Sequence, residues 1–147
     1  MDYEELAKKF CEMNFLCLRK KLKIEETISV SGEDGVLLCI HSSDHRVLSG
    51  EIAGTLRLSP GRTTNIINVL EKRGYIVKEN DRADKRKVYV SLTSDGERHI
   101  MEKYNQAIAR YCMIFEKIGE QDAEEYFRIL KRIHKAAEEM MKEGMFE

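Results

Sequence analysis

One short stretch of the chain carries side chains suited to reading a base pair. Ser59-Pro60 is a helix start signal. Ser accepts an orphan backbone N–H as N-cap, and Pro at the first helical position gives up no hydrogen bond. Downstream, helical spacing places Gly61, Arg62, Thr64, Asn65 and Asn68 on one polar face. Arg suits guanine, Asn suits adenine, and the Thr methyl suits the thymine methyl. The free N–H groups of that helix start, with Ser59, suit a phosphate. The other face is apolar. Ile66 and Leu70 can close a small core with Ile52, Leu56 and Leu58, Ala53 is small where two helices cross, and Thr63 turns inward.

A second candidate element follows at once. Asp81-Arg-Ala-Asp-Lys-Arg-Lys87 is polar and basic, and it separates Tyr75–Asn80 from Val88–Leu92. Both flanks are rich in β-branched and aromatic residues, so they read as the strands of a hairpin. The tip then carries Arg82, Asp84, Lys85, Arg86 and Lys87. Between Ser49 and Thr93 there are nine Lys/Arg and five acids, a local charge of +4 in a chain of net charge −1. A basic centre inside acidic flanks is the electrostatic footprint of a nucleic-acid module on a helical scaffold.

Other chemistries fare worse. Cys39, His41 and His45, with Glu33 and Asp44 nearby, are metal-ligand types. However, Ser42-Ser43-Asp44 breaks the helix that would align the two His, and His99 and His134 stand far apart in sequence. No metal, cofactor or catalytic residue is expected. There is no Gly-rich phosphate loop, no His-Glu-x-x-His and no Gly-x-Ser-x-Gly, so an enzyme is not expected either. The four cysteines, Cys11, Cys17, Cys39 and Cys112, form no Cys-x-x-Cys and sit among apolar neighbours. That pattern, without a secretion signal, reads as unpaired thiols in a cytoplasm. No window approaches the roughly 20 apolar residues of a membrane helix.

These residues need elements to hold them. The chain has 147 residues, of which 42% are hydrophobic and 35% charged, with a single Pro and no Trp. Such a composition suits one mainly helical globular domain. Residues 3–24 carry apolar side chains in steps of three and four, a helix with a wide stripe. Ser31-Gly-Glu-Asp34 resembles a capping box that opens a helix through Ile40. Ser49 is expected to cap a short helix, Gly50 to Leu56, with Arg57-Leu58 as the turn. The helix from Pro60 should stop at Gly74. Ser94-x-x-Glu97 reads as a capping box for a long helix ending at Gly119, and a last helix carries Tyr126 to Met141. The order is α-α-α-α-β-β-α-α, a winged helix-turn-helix with a two-stranded or three-stranded β wing. Its core spans about residues 32–96. The terminal helices, about 1–30 and 97–147, are too apolar to be finished by so small a centre and should bury their faces in a twin subunit.

Asp84-Lys-Arg-Lys-Val-Tyr-Val-Ser-Leu-Thr-Ser-Asp-Gly96 resembles the wing signature of the MarR family of transcriptional regulators: Asp84, Arg86, Leu92-Thr93 and Gly96 match it in order and spacing. The upstream Ile-Ala…Leu-x-Leu-Ser…Leu-Glu-Lys-Arg-Gly is similar to that family as well, so the resemblance covers nearly the whole chain. It implies a cytoplasmic homodimer, nucleoid-associated when bound, with interlocked terminal helices and a recognition helix in each major groove. It also implies that Arg86, steadied by Asp84, enters the minor groove of a pseudo-palindromic operator in double-stranded DNA, and that the protein is a repressor. A branch of the family senses hydroperoxides through a first-helix cysteine with tyrosine partners. That makes Cys11 and Cys17 the candidate redox residues, against a reading of both as packed small hydrophobes. The commoner mode implies a small-molecule effector in a cleft that Phe10, Met13, Phe15, Tyr104 and Tyr111 could line. The rival of a different class is a winged helix used as a protein-binding module; Arg62, Asn65 and Asn68 make a poor protein-docking face.

Overall fold

The computed structural model describes residues 2–19, 32–43 and 46–145, the side chains of 15–19 excepted. Its elements are α1 (Tyr3–Arg19), α2 (Gly32–His41), β1 (Val47–Leu48), α3 (Ser49–Leu56), α4 (Pro60–Lys72), β2 (Ile76–Asn80), β3 (Val88–Leu92), α5 (Ser94–Ile118) and α6 (Glu120–Lys142). They fall into two compact units. One is Ser29–Tyr104; the other joins Met1–Ile28 to Asn105–Glu147.

The first unit is a winged helix-turn-helix. Its core is Val36, Leu37, Ile40, Ile52, Ile67, Leu70, Ile76, Val90 and Ile100, each at most 3% exposed. Burying aliphatic side chains of this size stabilises the fold by about 1.5–3 kcal/mol each. Ile67 takes the interior place that the helical reading gave to Ile66. Ile66, Leu56 and Leu58 are partly buried against the core instead. Thr63 points inward as expected, only 2% exposed. Its hydroxyl donates to the Ser59 carbonyl at 2.9 Å, which meets the cost of burying an oxygen.

The three-stranded form of the wing is the one found. The sheet order is β1-β3-β2, antiparallel throughout, with Val47 opposite Val90 and Ile76 opposite Leu92. Two helix starts differ from expectation. Ser49 is already helical and Leu48 is the N-cap, with no side-chain bond, because Leu48 is held in β1 opposite Tyr89. The α5 cap is Thr93, one residue before Ser94: its hydroxyl accepts the Gly96 N–H at 3.1 Å. Ser31, the expected cap of α2, lies outside the described residues. The end of α2 is as expected, with the Ser42 and Ser43 hydroxyls both donating to the Cys39 carbonyl at 3.0 Å.

In the second unit, Leu6, Ala7, Phe10 and Cys11 of α1, Ile108 and Phe115 of α5, and Ala123 and Leu130 of α6 are buried. Phe10 is the hub of an aromatic cluster, 4.6 Å from Tyr111, 5.6 Å from Phe115 and 5.9 Å from Tyr126 between ring centroids. Gly119, at φ +90, separates α5 from α6 as the sequence indicates. The expected continuation of the first helix beyond Arg19 lies outside the described residues. Among the described residues, no helix is long and apolar enough to cross a membrane.

Candidate nucleic-acid interface

The face of α4 is built from its start. Ser59 Oγ accepts the Arg62 N–H at 3.2 Å, and Pro60 occupies the first turn. Ser59, Gly61, Arg62, Thr64, Asn65 and Asn68 are all exposed. They form one polar face, opposite the buried Thr63, Ile67 and Leu70. The Thr64 hydroxyl donates to the Pro60 carbonyl at 2.9 Å, so its donor is spent within the helix. Asn68 Oδ1 accepts from Lys78 Nζ at 2.8 Å, and the same ammonium lies 3.5 Å from Glu71. In the sequence Lys78 is marked by no more than its place as a cation on the strand that returns beside the helix.

The wing tip is held by its own carboxylates. Asp81 Oδ1 accepts the N–H of Ala83 at 2.8 Å and of Asp84 at 3.4 Å. Those two N–H bonds hold the Asp81 carboxyl below the usual carboxylate range. Across the base of the tip, the Asp81 N–H reaches the Lys87 carbonyl at 3.0 Å. Asp84 Oδ1 accepts the Arg86 N–H at 3.1 Å and lies 3.4 Å from Arg86 Nε. Arg86 is otherwise free in solvent, its side chain 93% exposed. Arg82, Lys85 and Lys87 are exposed beside it. A further cation, Arg46, lies over the Tyr89 ring at 4.0 Å and 3.5 Å from Glu79. Nothing in its sequence neighbourhood marked it, because β1 is only two residues long.

The candidates set aside in the sequence are placed as follows. His41 Nδ1 is 2.8 Å from Glu97. His99 stacks on Tyr75 at 4.6 Å and lies 3.6 Å from Asp34. His45 and Asp44 lie outside the described residues, among which no group of three or more His, Cys, Asp or Glu could hold a metal. Cys11 and Cys39 are buried, and Cys112 is half-buried. Burial pushes the Cys11 thiol up to about 11. A reactive thiol needs the opposite shift. Cys17 sits on α1 with its side chain outside those described, as does Phe15. Of the other cleft candidates, Phe10 and Tyr111 pack together, Met13 is half-buried, and Tyr104 belongs to the winged unit.

Residues 35–87, which hold most of α2, then β1, α3, α4, β2 and the hairpin tip, match the model of the MarR family. Over that stretch the chain is similar to the MarR family. YkoM, an HTH-type transcriptional regulator of Bacillus subtilis, is 30% identical over 56% of this chain and 53% of its own length. The chain thus spans about half the length of that relative. PapX, an HTH-type transcriptional regulator of Escherichia coli, is 29% identical over 72% of the chain and 77% of its own length. Among solved structures, a cysteine-to-serine mutant of Escherichia coli MarR complexed with operator DNA shares the fold. Its TM-score is 0.53 at 19% identity, covering 89% of this chain and 84% of that one. Both relatives are HTH-type transcriptional regulators by name.

Proposed function

We propose that the protein is a sequence-specific regulator of transcription that binds double-stranded DNA. The observation that carries this reading is a juxtaposition within one unit: an exposed polar face on α4 and a cationic hairpin tip, both built on one closed core. Arg62, Thr64 and Asn65 suit the major groove, where each base pair shows its own donor and acceptor pattern. Ser59 and the first N–H groups of α4 suit a phosphate. Arg86, with Arg82, Lys85 and Lys87, suits the flanking minor groove, whose narrow stretches concentrate negative potential. A MarR-family neighbour solved with operator DNA supports the same use of this fold.

The protein acts as a homodimer on a pseudo-palindromic operator, as a repressor in the cytoplasm. Support for the dimer is an apolar surface that one copy leaves open: Met113 and Ile118 on α5, and Tyr126, Ile129 and Ile133 on α6, are 40–69% exposed. The whole chain then acts as one domain in function, with residues 32–96 reading DNA and the terminal helices pairing the copies. Release by a small effector fits better than release by an oxidant, since the Cys11 thiol is buried and held protonated. The test is a titration with duplexes selected from a random pool, at two salt concentrations. Selective, salt-sensitive binding with one dimer per duplex is expected. A protein that enriches no sequence is not this regulator.

A further inference from the structure

We propose that Lys78 of β2 is a specificity-determining residue: by donating to Asn68 Oδ1 at 2.8 Å, it turns the Asn68 amide into a donor-only probe of the major groove. This inference rests on the DNA-binding reading of α4 and refines it. Asn ordinarily reads adenine with both ends of its amide. The oxygen accepts from adenine N6 and the nitrogen donates to N7. That pairing needs an oxygen open to a further donor. Here one of its two lone pairs is taken by an ammonium, whose positive charge opposes a second donor such as adenine N6, and the orientation of the amide is not arbitrary. Lys has three donors and no acceptor, so only the oxygen end of Asn68 can face it. The nitrogen end, with two N–H donors, is left for the groove. A donor-only group favours a base edge that offers acceptors without an adjacent donor, and guanine, with N7 and O6, fits best.

The clasp is specific to this place in the fold. Asn68 and Glu71 lie three residues apart on α4, hence on neighbouring positions of one helix face. Lys78 stands in the middle of β2, opposite Val90 of β3, so its backbone is fixed by the sheet. The ammonium meets Asn68 at 2.8 Å and the Glu71 carboxylate at 3.5 Å. With a carboxylate beside it, Lys78 has little charge left for a phosphate. Its part in DNA binding is therefore base identity and not salt-dependent affinity, the reverse of an ordinary surface lysine in a basic region.

The experiment selects duplexes from a random pool with the full-length wild type, Lys78→Met, Lys78→Arg and Asn68→Ala, each first checked for wild-type circular dichroism. Asn68→Ala identifies the base pair that Asn68 reads, as the one position per half-site whose preference collapses. At that position the wild type should prefer guanine. Lys78→Met frees the amide oxygen and should shift the preference toward adenine by about tenfold, with other positions unchanged. Lys78→Arg, whose guanidinium also donates and never accepts, should keep guanine. In the protein without DNA, the Asn68 side-chain amide resonances should move in Lys78→Met far more than in Lys78→Arg. A wild type that prefers adenine there, or a Lys78→Met variant that selects as wild type does, overturns the inference and leaves the DNA-binding reading standing. A wild type that enriches no duplex overturns both.

Discussion

Gly96 of α5 lies against the carbonyl of Tyr75, so close that a Cβ on Gly96 would sit 2.0 Å from that oxygen and 2.9 Å from its carbon. The same carbonyl accepts the Thr93 N–H at 3.0 Å, and the Thr93 hydroxyl donates to the Gly74 carbonyl at 2.5 Å. The entry to β2 is thereby clamped to the start of α5. This accounts physically for the Leu-Thr-x-x-Gly end of the wing: Thr93 both clamps and caps, and only glycine admits the strand entry so near the helix.

Gly96→Ala should therefore cost about 3 kcal/mol or more, since backbone and not a flexible side chain must move. Gly61→Ala is the control. A Cβ there meets nothing within 4 Å, and the residue is helical. It should raise stability by about 0.4–1 kcal/mol while lowering DNA affinity, because the added methyl stands on the docking face. Chemical unfolding of both variants checks this. A Gly96→Ala protein as stable as wild type would show that the close approach is not tight.

Ser59-Pro60, the polar face of α4 and the charged hairpin tip each have strong local signals in the sequence, and the structure has the capped helix, its exposed polar face and the hairpin. What escaped was set by contacts distant in sequence. A strand of two residues, Val47–Leu48, has no periodicity to detect, yet it exists because β3 offers it a ladder. Ser94-x-x-Glu97 carries the capping-box pattern, yet Thr93, whose N–H is held by the Tyr75 carbonyl, is the cap. Ile66 and Ile67 are both apolar neighbours, and only the packed core selects Ile67. Lys78 looked like any strand cation until the fold set it beside Asn68.

The Cys11 thiol gives a chemical test. Burial raises it to about 11, so at neutral pH it is almost wholly protonated. Relative to a thiol titrating near 9, the reactive thiolate is roughly a hundredfold scarcer at pH 7. Alkylation by iodoacetamide should be slower than for a free cysteine by at least that factor, and its rate should keep rising with pH toward 11. DNA binding should be unmoved by stoichiometric hydroperoxide, in the wild type as in Cys11→Ser. Release by hydroperoxide in the wild type, with Cys11→Ser or Cys17→Ser resistant, would restore a redox role.

The dimer is tested on its exposed face. Ile129 and Ile133, at 43% and 41% exposure, are four residues apart on α6 and share one face. The double change Ile129→Glu, Ile133→Glu removes little from the core of one copy but places two carboxylates in the interface. Sedimentation should show a dimeric wild type and a monomeric variant with native circular dichroism. Losing simultaneous contact with two half-sites should weaken operator binding by roughly 10²-fold or more. A monomeric wild type at micromolar concentration would remove the basis for the palindrome.

The wing is tested through salt. The Arg86 side chain is 93% exposed, and among the described residues its ion-pair partner is Asp84, 3.4 Å from Nε. So exposed a pair contributes little to folding, and Arg86→Ala should leave stability within about 0.5 kcal/mol of wild type. If Arg86 enters a minor groove, its loss is felt as one fewer cation near phosphate. Affinity should fall for nearly every duplex, and the log–log salt slope should flatten by about one unit per site lost. Asn65→Ala should do the opposite: about 1–3 kcal/mol lost at one base pair per half-site, with the slope nearly unchanged. The two affected positions should repeat symmetrically, with half-site centres about one helical turn apart. Titrations of wild type and both variants at several salt concentrations separate charge from base identity. If Arg86→Ala binds every duplex as wild type does, with the same slope, the wing tip does not touch DNA, and the recognition helix must act alone.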